Sequence, residues 1–363
     1  MRIVSPFLKK VVYPSLSMTG VLRRTSRAGL AVVTYHGVLP RGYKTVDPAF
    51  DGNLVSADIL QQHLRLLKSR YNVISPEDVL AWRQGRLELP PAAVLLTCDD
   101  GLLNNLTDML PVLQQEEVRC LFFVTGASAG ETRTMLWYEE LFLLFSQAPA
   151  GVFEISCDGV VIMGDLGGPG QRHGIWWNSV KRLSAFDSVT RGSLLRIAGR
   201  HFGLNARRCL DAEDSPLRRR FGLLTASEVR QLSSAGMTIG AHTLSHPMLS
   251  QLPLEPARVE IVESRNRLET LLQKRVWGFA YPFGDAQSVT PQVLAIPQQA
   301  GYEAAFLNAG GGLGTNLPPY ALPRVHVTAK MNLAEFEAHV SGFHANLQRR
   351  AGRSGTTVTT EGG

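Results

Sequence analysis

The chain has 363 residues, a formal net charge of +6 and a 44% hydrophobic share, enough for one large domain or two modest ones around a real core. Its mean hydropathy is −0.01 and no unbroken apolar run approaches about 18 residues, which argues against an integral membrane protein. Lys and Arg are scattered, without interleaved aromatics or helix-turn-helix or finger spacing, so nucleic acid is not an expected partner. The cysteines Cys98, Cys120, Cys157 and Cys209 share no CxxC spacing. Two of them sit in apolar strand-like runs, where a thiol behaves as a small hydrophobe, and a reducing compartment is expected.

Residues 1–27 read as a basic amphipathic segment. Ile3, Val4, Phe7, Leu8, Val11, Val12 and Leu16 are broken by Lys9 and Lys10 and followed by Arg23, Arg24 and Arg27. This pattern suits neither a signal peptide nor a span. The segment either lies on an anionic membrane surface or packs on the domain through the same apolar face. A cytoplasmic location, with peripheral contact at the inner membrane face, is the expectation.

From Gly29 the chain alternates strands and helices. A strand through Val32 and Val33 ends at Tyr35-His36-Gly37. A helix opens at Ser56-Ala57-Asp58, a short strand covers Tyr71 to Ile74, and Ser75-Pro76 starts a second helix. Val94-Leu95-Leu96-Thr97 then forms a buried strand that stops at Cys98-Asp99-Asp100-Gly101. A helix from about Leu106 to Gln115 and the strand Cys120 to Val124 follow. This alternation predicts a mainly parallel sheet or a β/α barrel, with the domain spanning 28–345.

The rhythm is lost over 126–221, read as an insertion that leaves the barrel after one strand and returns at the next helix. A cap of this size shapes a cleft. Its aromatics, Trp137, Tyr138, Phe142, Phe145, Phe153, Trp176 and Trp177, read as the cap's own core rather than as a sugar platform. Order returns with the capping box Thr225-Ala226-Ser227-Glu228. The strand Met237 to Ala241 leads into His242-Thr243-Leu244-Ser245-His246. A long helix from Pro256 to Gln273 follows, then the strand Val276 to Ala280 running into Tyr281-Pro282-Phe283-Gly284-Asp285. Strands at Ala304–Leu307 and Leu322–Val327 and a helix with Leu333, Phe336 and Val340 complete the domain. The tail, 346–363, is rich in Gly, Ser and Thr and is expected to be disordered.

Asp99-Asp100-Gly101 alone would pass for a turn, with Asp bonding to nearby backbone and Gly supplying positive φ. Polar residues at three other strand ends change that reading, because parallel α/β folds place their sites at the strands' C-terminal ends. His242 and His246, four residues apart, can reach one ion, and with one Asp they make a His-His-carboxylate set with open positions. Such a set suits Zn²⁺, Co²⁺, Ni²⁺ or Fe²⁺. The ion acidifies a water and polarises a carbonyl, and the spare Asp is free to take a proton.

With these three motifs in place the sequence resembles the polysaccharide deacetylase family, carbohydrate esterase family 4. Thr97-Cys98-Asp99-Asp100-Gly101 stands for the family's Thr-Phe-Asp-Asp-Gly, alongside His242-Thr243-Leu244-Ser245-His246 and Ala280-Tyr281-Pro282-Phe283-Gly284. The likeness covers about Leu30 to His344 apart from the insertion. It implies a distorted (β/α)7 barrel with Asp99 as general base, Asp100, His242 and His246 as metal ligands, most often for Zn²⁺, and the Phe283 N–H as an oxyanion donor. Two departures stand out. Cys98 replaces an aromatic, and Ala280 stands where many members carry an Arg that tethers the base. Arg324 is the candidate replacement. The general acid falls to His36 or His326, and the Tyr-His-Gly near the start favours His36, as in the exopolysaccharide deacetylases. His63, His173, His201 and His344 are assigned structural or surface roles.

The activity implied is removal of acetyl from an N-acetylated sugar in a polysaccharide, glycolipid or lipid-linked glycan precursor. A deacylase of a non-sugar amide or imide could use the same site. A catalytically silent glycan-binding protein could keep the fold. A serine-nucleophile route is not expected.

Overall fold

The computed structural model describes residues 6–24, 29–48, 50–168, 170–315 and 317–350. Residues 1–5 and 25–27 of the basic segment and 351–363 of the tail lie outside the described residues. Ten strands lie among the described residues: β1 (Leu30–Tyr35), β2 (Asn72–Ile74), β3 (Ala93–Cys98), β4 (Leu121–Val124), β5 (Val152–Cys157), β6 (Val160–Asp165), β7 (Thr238–Ala241), β8 (Gly278–Ala280), β9 (Ala304–Gly310) and β10 (Leu322–His326). In the main sheet they run β1-β10-β9-β8-β7-β4-β3-β2, and a further pairing of β1 with β3 closes the circle. All of these pairings are parallel. The fold is a distorted (β/α)7 barrel. The distortion is located at β2, which pairs with the first half of β3 at Ala93–Leu95, while β4 pairs with its end at Thr97–Cys98.

Alternation along the strands divides the core in two. Leu30, Val32, Ala93, Leu95, Leu121, Phe123, Ala280, Ala304, Phe306 and Leu322 form one cluster, filling the barrel. Ala31, Val33, Tyr35, Val94, Leu96, Cys98, Phe122, Ile239, Phe279 and Val325 join a second cluster with the surrounding helices. Side chains on one strand face opposite ways at successive residues. Cys98 therefore packs outward against the helix layer, and the interior position before the site belongs to Thr97. Burial keeps the Cys98 thiol protonated, well above its ordinary range.

The insertion leaves after β4. It comprises the helices Trp137–Gln147, Gln171–Leu183, Ser188–Phe202 and Pro216–Phe221 around the antiparallel hairpin β5–β6. Its apolar residues form their own core, which takes in Phe50 from the barrel side. Phe50 stacks on Phe142 with ring centroids 3.9 Å apart. Beside them Arg220, 1% exposed, binds Asp51 at 2.8 Å and Glu139 at 2.8 Å.

Helical pieces between Leu8 and Arg24 pack on the end of the domain. Tyr13 and Leu22 meet Ala338, Lys9 pairs with Glu335 at 2.7 Å, and Ser17 and Arg70 converge on Glu337. In the described part of the segment, Leu8, Val12, Tyr13, Leu16 and Leu22 are spent on packing, while Phe7, Val11 and Met18 stay exposed. The tail boundary expected at 346 moves back, because Phe343–Arg350 is a helix. Its residue His344 accepts at Nε2 from Gln348 Nε2 at 2.6 Å and bonds Tyr13 Oη through Nδ1 at 2.6 Å, which ties this helix to the N-terminal segment. No helix among the described residues is long and apolar enough to cross a membrane.

Candidate active site

β3 delivers the carboxylates. Thr97 lies inside the barrel beside Thr34 of β1, which in turn registers with His326 of β10. Asp99 and His36 follow at the next inward-facing level. The backbone turns at once, with Asp100 at φ 76° and Gly101 at φ 74°. This left-handed pair splits the two carboxylates. At Gly101 a Cβ would also come within 3.0 Å of Val124, so only glycine serves there. Non-glycine residues rarely adopt such angles. Thr243 (62°), His246 (56°) and Phe283 (62°) adopt them as well, so backbone strain is concentrated around one cleft, as is common at functional sites.

Asp99 is held by Arg324, which rises from one level lower on β10. Its Nη1 donates to Asp99 Oδ1 at 2.7 Å and its Nη2 to Oδ2 at 2.5 Å. Two of the three remaining donors are met, Nη1 by Thr97 Oγ1 at 3.2 Å and Nε by the Leu307 carbonyl at 2.9 Å. Such a fork-on-fork pair fixes the carboxylate's plane as well as its charge. Burial alone would raise the Asp99 carboxyl. The Arg324 charge, aided by His242 and by the guanidinium hydrogen bonds, outweighs burial and holds it below the usual carboxylate value. Ala280, at the position where an Arg was missing, is buried in the barrel interior.

Asp100, His242 and His246 are each buried, and one ligand atom from each lies within 4.8 Å of the others. Asp100 Oδ1 is 3.5 Å from His242 Nε2 and 3.2 Å from His246 Nε2. His242 Nδ1 is 2.8 Å from the Ala280 carbonyl, which can only accept, so Nδ1 carries the proton. With Nδ1 protonated, Nε2 is the atom left facing a carboxylate oxygen, a pairing that a cation between them would bridge. Burial holds His246 below the usual imidazole value, in the neutral form that ligates a metal. The separations match the edge of a tetrahedron, about 3.3 Å for bonds of about 2.0–2.1 Å to zinc. The three residues fit a divalent ion with a position left open, and the His242–Ala280 bond orients a ligand as metal sites require.

His36 and His326 face each other across the cleft, with ring centroids 4.9 Å apart. Both are half-buried, and His36 Nδ1 and His326 Nε2 are buried without a hydrogen-bond partner among the described residues. Burial, reinforced by the charges of His36 and Arg324, pushes His326 down to about 3. The Phe283 N–H has no acceptor among the described residues. All eight residues expected at a site therefore lie around one cleft. His63, by contrast, is in the helix layer, 3.2 Å from Tyr35 Oη and stacked on Phe336. His173 and His201 are exposed, and His344 packs on Tyr13 as described above.

Sequence reading misses several residues here. Tyr138, from the cap, sets its ring 5.0 Å from His246 and 5.7 Å from Phe283, and Trp177 stands 5.7 Å from Phe283. The cap's aromatics thus divide: Phe142, Phe145, Phe153 and Trp176 make a core, while half-buried Tyr138 and Trp177 border the cleft. Asn308 on β9 donates its N–H to the Gly284 carbonyl at 2.8 Å and leaves its Oδ1 buried without a partner among the described residues. No local motif marks these positions; only the fold brings them together.

The fold and site define a (β/α)7-barrel protein with a buried Asp-His-His cluster beside a free, Arg-held aspartate. Comparison with known proteins agrees. A family model described as polysaccharide deacetylase matches residues 202–305, which include His242, His246 and the Tyr281–Asp285 turn. A curated relative, the candidate polysaccharide deacetylase YxkH of Bacillus subtilis (strain 168), is 24% identical over 120 residues, 33% of this chain and 42% of its own length. The matched region thus spans less than half of that relative. The Streptococcus pyogenes deacetylase PplD, solved with acetate, superposes with a TM-score of 0.52 at 15% identity, covering 86% of this chain and 99% of that one. IcaB from Ammonifex degensii gives 0.52 at 18% identity, covering 85% and 97%. A de-N-acetylase from Aggregatibacter actinomycetemcomitans gives 0.51 at 13%, covering 86% and 100%. Residues 202–305 thus match the polysaccharide deacetylase family model, and the fold is similar to that of these solved deacetylases.

Proposed function

We propose that this protein is a metal-dependent carbohydrate N-deacetylase acting on an N-acetylated glycan or lipid-linked sugar. The observation that carries the reading is the split of the aspartate pair. Asp99 is ionised and tied to Arg324, while Asp100 converges with His242 and His246 on the position of a cation. A divalent ion there, with Zn²⁺ the best match to the ligand set, would polarise an amide carbonyl and acidify water. Asp99 takes the proton of the attacking water. The free Phe283 N–H donates to the developing oxyanion. His36 hands a proton to the leaving amine; His326, kept neutral by its surroundings, is the weaker candidate for that step and instead fixes the position of His36.

The exopolysaccharide type of substrate is supported by the early-strand His36 and by the likeness to IcaB. The half-buried rings of Tyr138 and Trp177 offer a sugar ring faces to rest on. On the N-terminal segment, Phe7 (64% exposed), Val11 (48%) and Met18 (86%) remain outward with Lys10, and this is the face we assign to contact with an anionic membrane from the cytoplasmic side. Acetate release from N-acetylhexosamine oligosaccharides, compared with ring opening of small cyclic imides, tests the reading. Acetate release with zinc-loaded protein supports it. Turnover of imides alone would replace it with the amidohydrolase reading.

A further inference from the structure

The loop that carries the ligand His246 is gripped from outside the barrel as well as from within. We propose that Trp137 and Arg191, both supplied by the inserted cap, are positioning residues for His246, so that docking of the cap and affinity for the metal are coupled. This rests on the reading of Asp100, His242 and His246 as a metal centre.

Thr243 and His246 both lie at positive φ, and a loop with two such non-glycine residues keeps its shape only where its surroundings impose it. On the barrel side Glu260 does this. Its Oε2 accepts from Leu244 N at 2.8 Å and Ser245 N at 2.9 Å, and its Oε1 accepts from Ser245 Oγ at 2.5 Å. On the cap side the Trp137 indole N–H donates to the His246 carbonyl at 3.0 Å. Arg191 donates through Nη2 to Ser245 Oγ and sets its guanidinium 4.9 Å above the Trp137 ring.

Arg191 is the less ordinary member. It is 1% exposed, pairs directly with no carboxylate among the described residues, and leaves Nε and Nη1 buried without acceptors. A buried cation in that state is costly, and filling a seam does not call for one. What it does achieve is specific. Ser245 Oγ links it to Glu260, and the Trp137 face answers its charge. The two clamps therefore meet on the residue before His246 and on His246's own carbonyl. Once the cap moves away, the His246 carbonyl loses its only side-chain partner among the described residues, the His246 N–H keeping Thr243 Oγ1 at 3.0 Å, and the imidazole is free to leave the cation position. By linkage, an ion bound at the centre must then stabilise the docked cap.

The test uses the full chain and Zn²⁺, with affinity measured by competition against a chromophoric chelator and stability by thermal melting of the metal-free protein. Trp137→Phe keeps the ring and removes the N–H; Arg191→Met keeps the bulk and removes the charge. Each is expected to weaken zinc binding about 10–100-fold, as loss of partners that orient a ligand does. Phe153→Leu, in the cap core against Phe145 and Phe202, is the control: it should lower the melting temperature and leave zinc affinity unchanged. Zinc affinity in Trp137→Phe and Arg191→Met that matches the wild type, or falls no further than in Phe153→Leu, would overturn the coupling while leaving the metal centre intact. Wild-type protein that binds no zinc would overturn both.

Discussion

Arg324 reaches up the inside of the barrel from β10 and closes both arms of its guanidinium on the two carboxylate oxygens of Asp99, at 2.7 and 2.5 Å. The tether that the sequence lacks at Ala280 is thus supplied from a strand on the far side of β9. A guanidinium does not need to come from one particular strand to do this. It needs to start one layer lower, inside, with a clear path to the carboxylate.

Replacing Arg324 by Met should have two separable effects. Removing one partner of a buried pair costs on the order of 3–5 kcal/mol, read by urea unfolding. With the guanidinium gone, burial dominates, and the Asp99 carboxyl rises. The acid limb of kcat/KM should move to higher pH, so that part of the lost activity returns on going alkaline. A variant whose pH profile keeps its acid limb in place would show that Arg324 does not tune the base.

The two cleft histidines should not be equivalent. His326 is held down to about 3 by burial and by the neighbouring positive charges, and stays neutral throughout the working range. His36→Asn should lower kcat by about 10²–10⁴-fold, the usual contribution of a general acid. His326→Asn should lose less and retain the alkaline limb of the pH profile. The opposite ranking would move the proton donor to β10.

Acid stability should carry the mark of His63. Burial lowers this imidazole from 6.5 to about 4. The folded protein resists a proton that the unfolded chain accepts, so the stabilisation is complete above pH 6.5 and drains away as pH falls toward 4. The depression corresponds to about 3 kcal/mol over that window. His63→Gln keeps an acceptor for Tyr35 and should flatten the slope of unfolding free energy between those limits. An unchanged slope would assign the acid sensitivity elsewhere.

The seam between cap and barrel should depend on Arg220, buried between Asp51 and Glu139. Arg220→Met leaves two buried carboxylates without their cation, a loss of about 3–5 kcal/mol. Hydrogen exchange should then rise in the helices Trp137–Gln147 and Pro216–Phe221 before it rises in the barrel strands. Uniform destabilisation of both would mean that the triad stabilises the molecule as a whole.

The barrel and its strand-end residues are legible in the sequence because parallel strands are nearly continuous apolar runs, and each stops abruptly at a polar residue. Val94 to Asp100 and Met237 to His246 show this directly. The motifs then order four strand ends around one cleft, and the structure adds their distances. The cap is far less legible. Its helices at 171–183 and 188–202 are interrupted by Gly174, Gly192 and Gly199, and the Gly-rich turn before the first of them hides where it starts. Trp137, Tyr138 and Arg191 carry no local signal at all, because their partners lie about 50–110 residues away along the chain, on the His242–His246 loop, and contacts at that separation follow from topology rather than from pattern. Adjacency to Asp99 does not bring Cys98 into the site: strand alternation turns it to the outer face, where its substitution for an aromatic is a matter of helix packing.

The division of labour between Asp99 and Asp100 is tested most directly by measuring bound zinc and acetate release together in two variants. Asp99→Asn should retain zinc and lose turnover, while His242→Ala should lose both. Full turnover in Asp99→Asn, or zinc held as tightly by His242→Ala as by the wild type, would contradict the assignment of one aspartate to the proton and its neighbour to the ion.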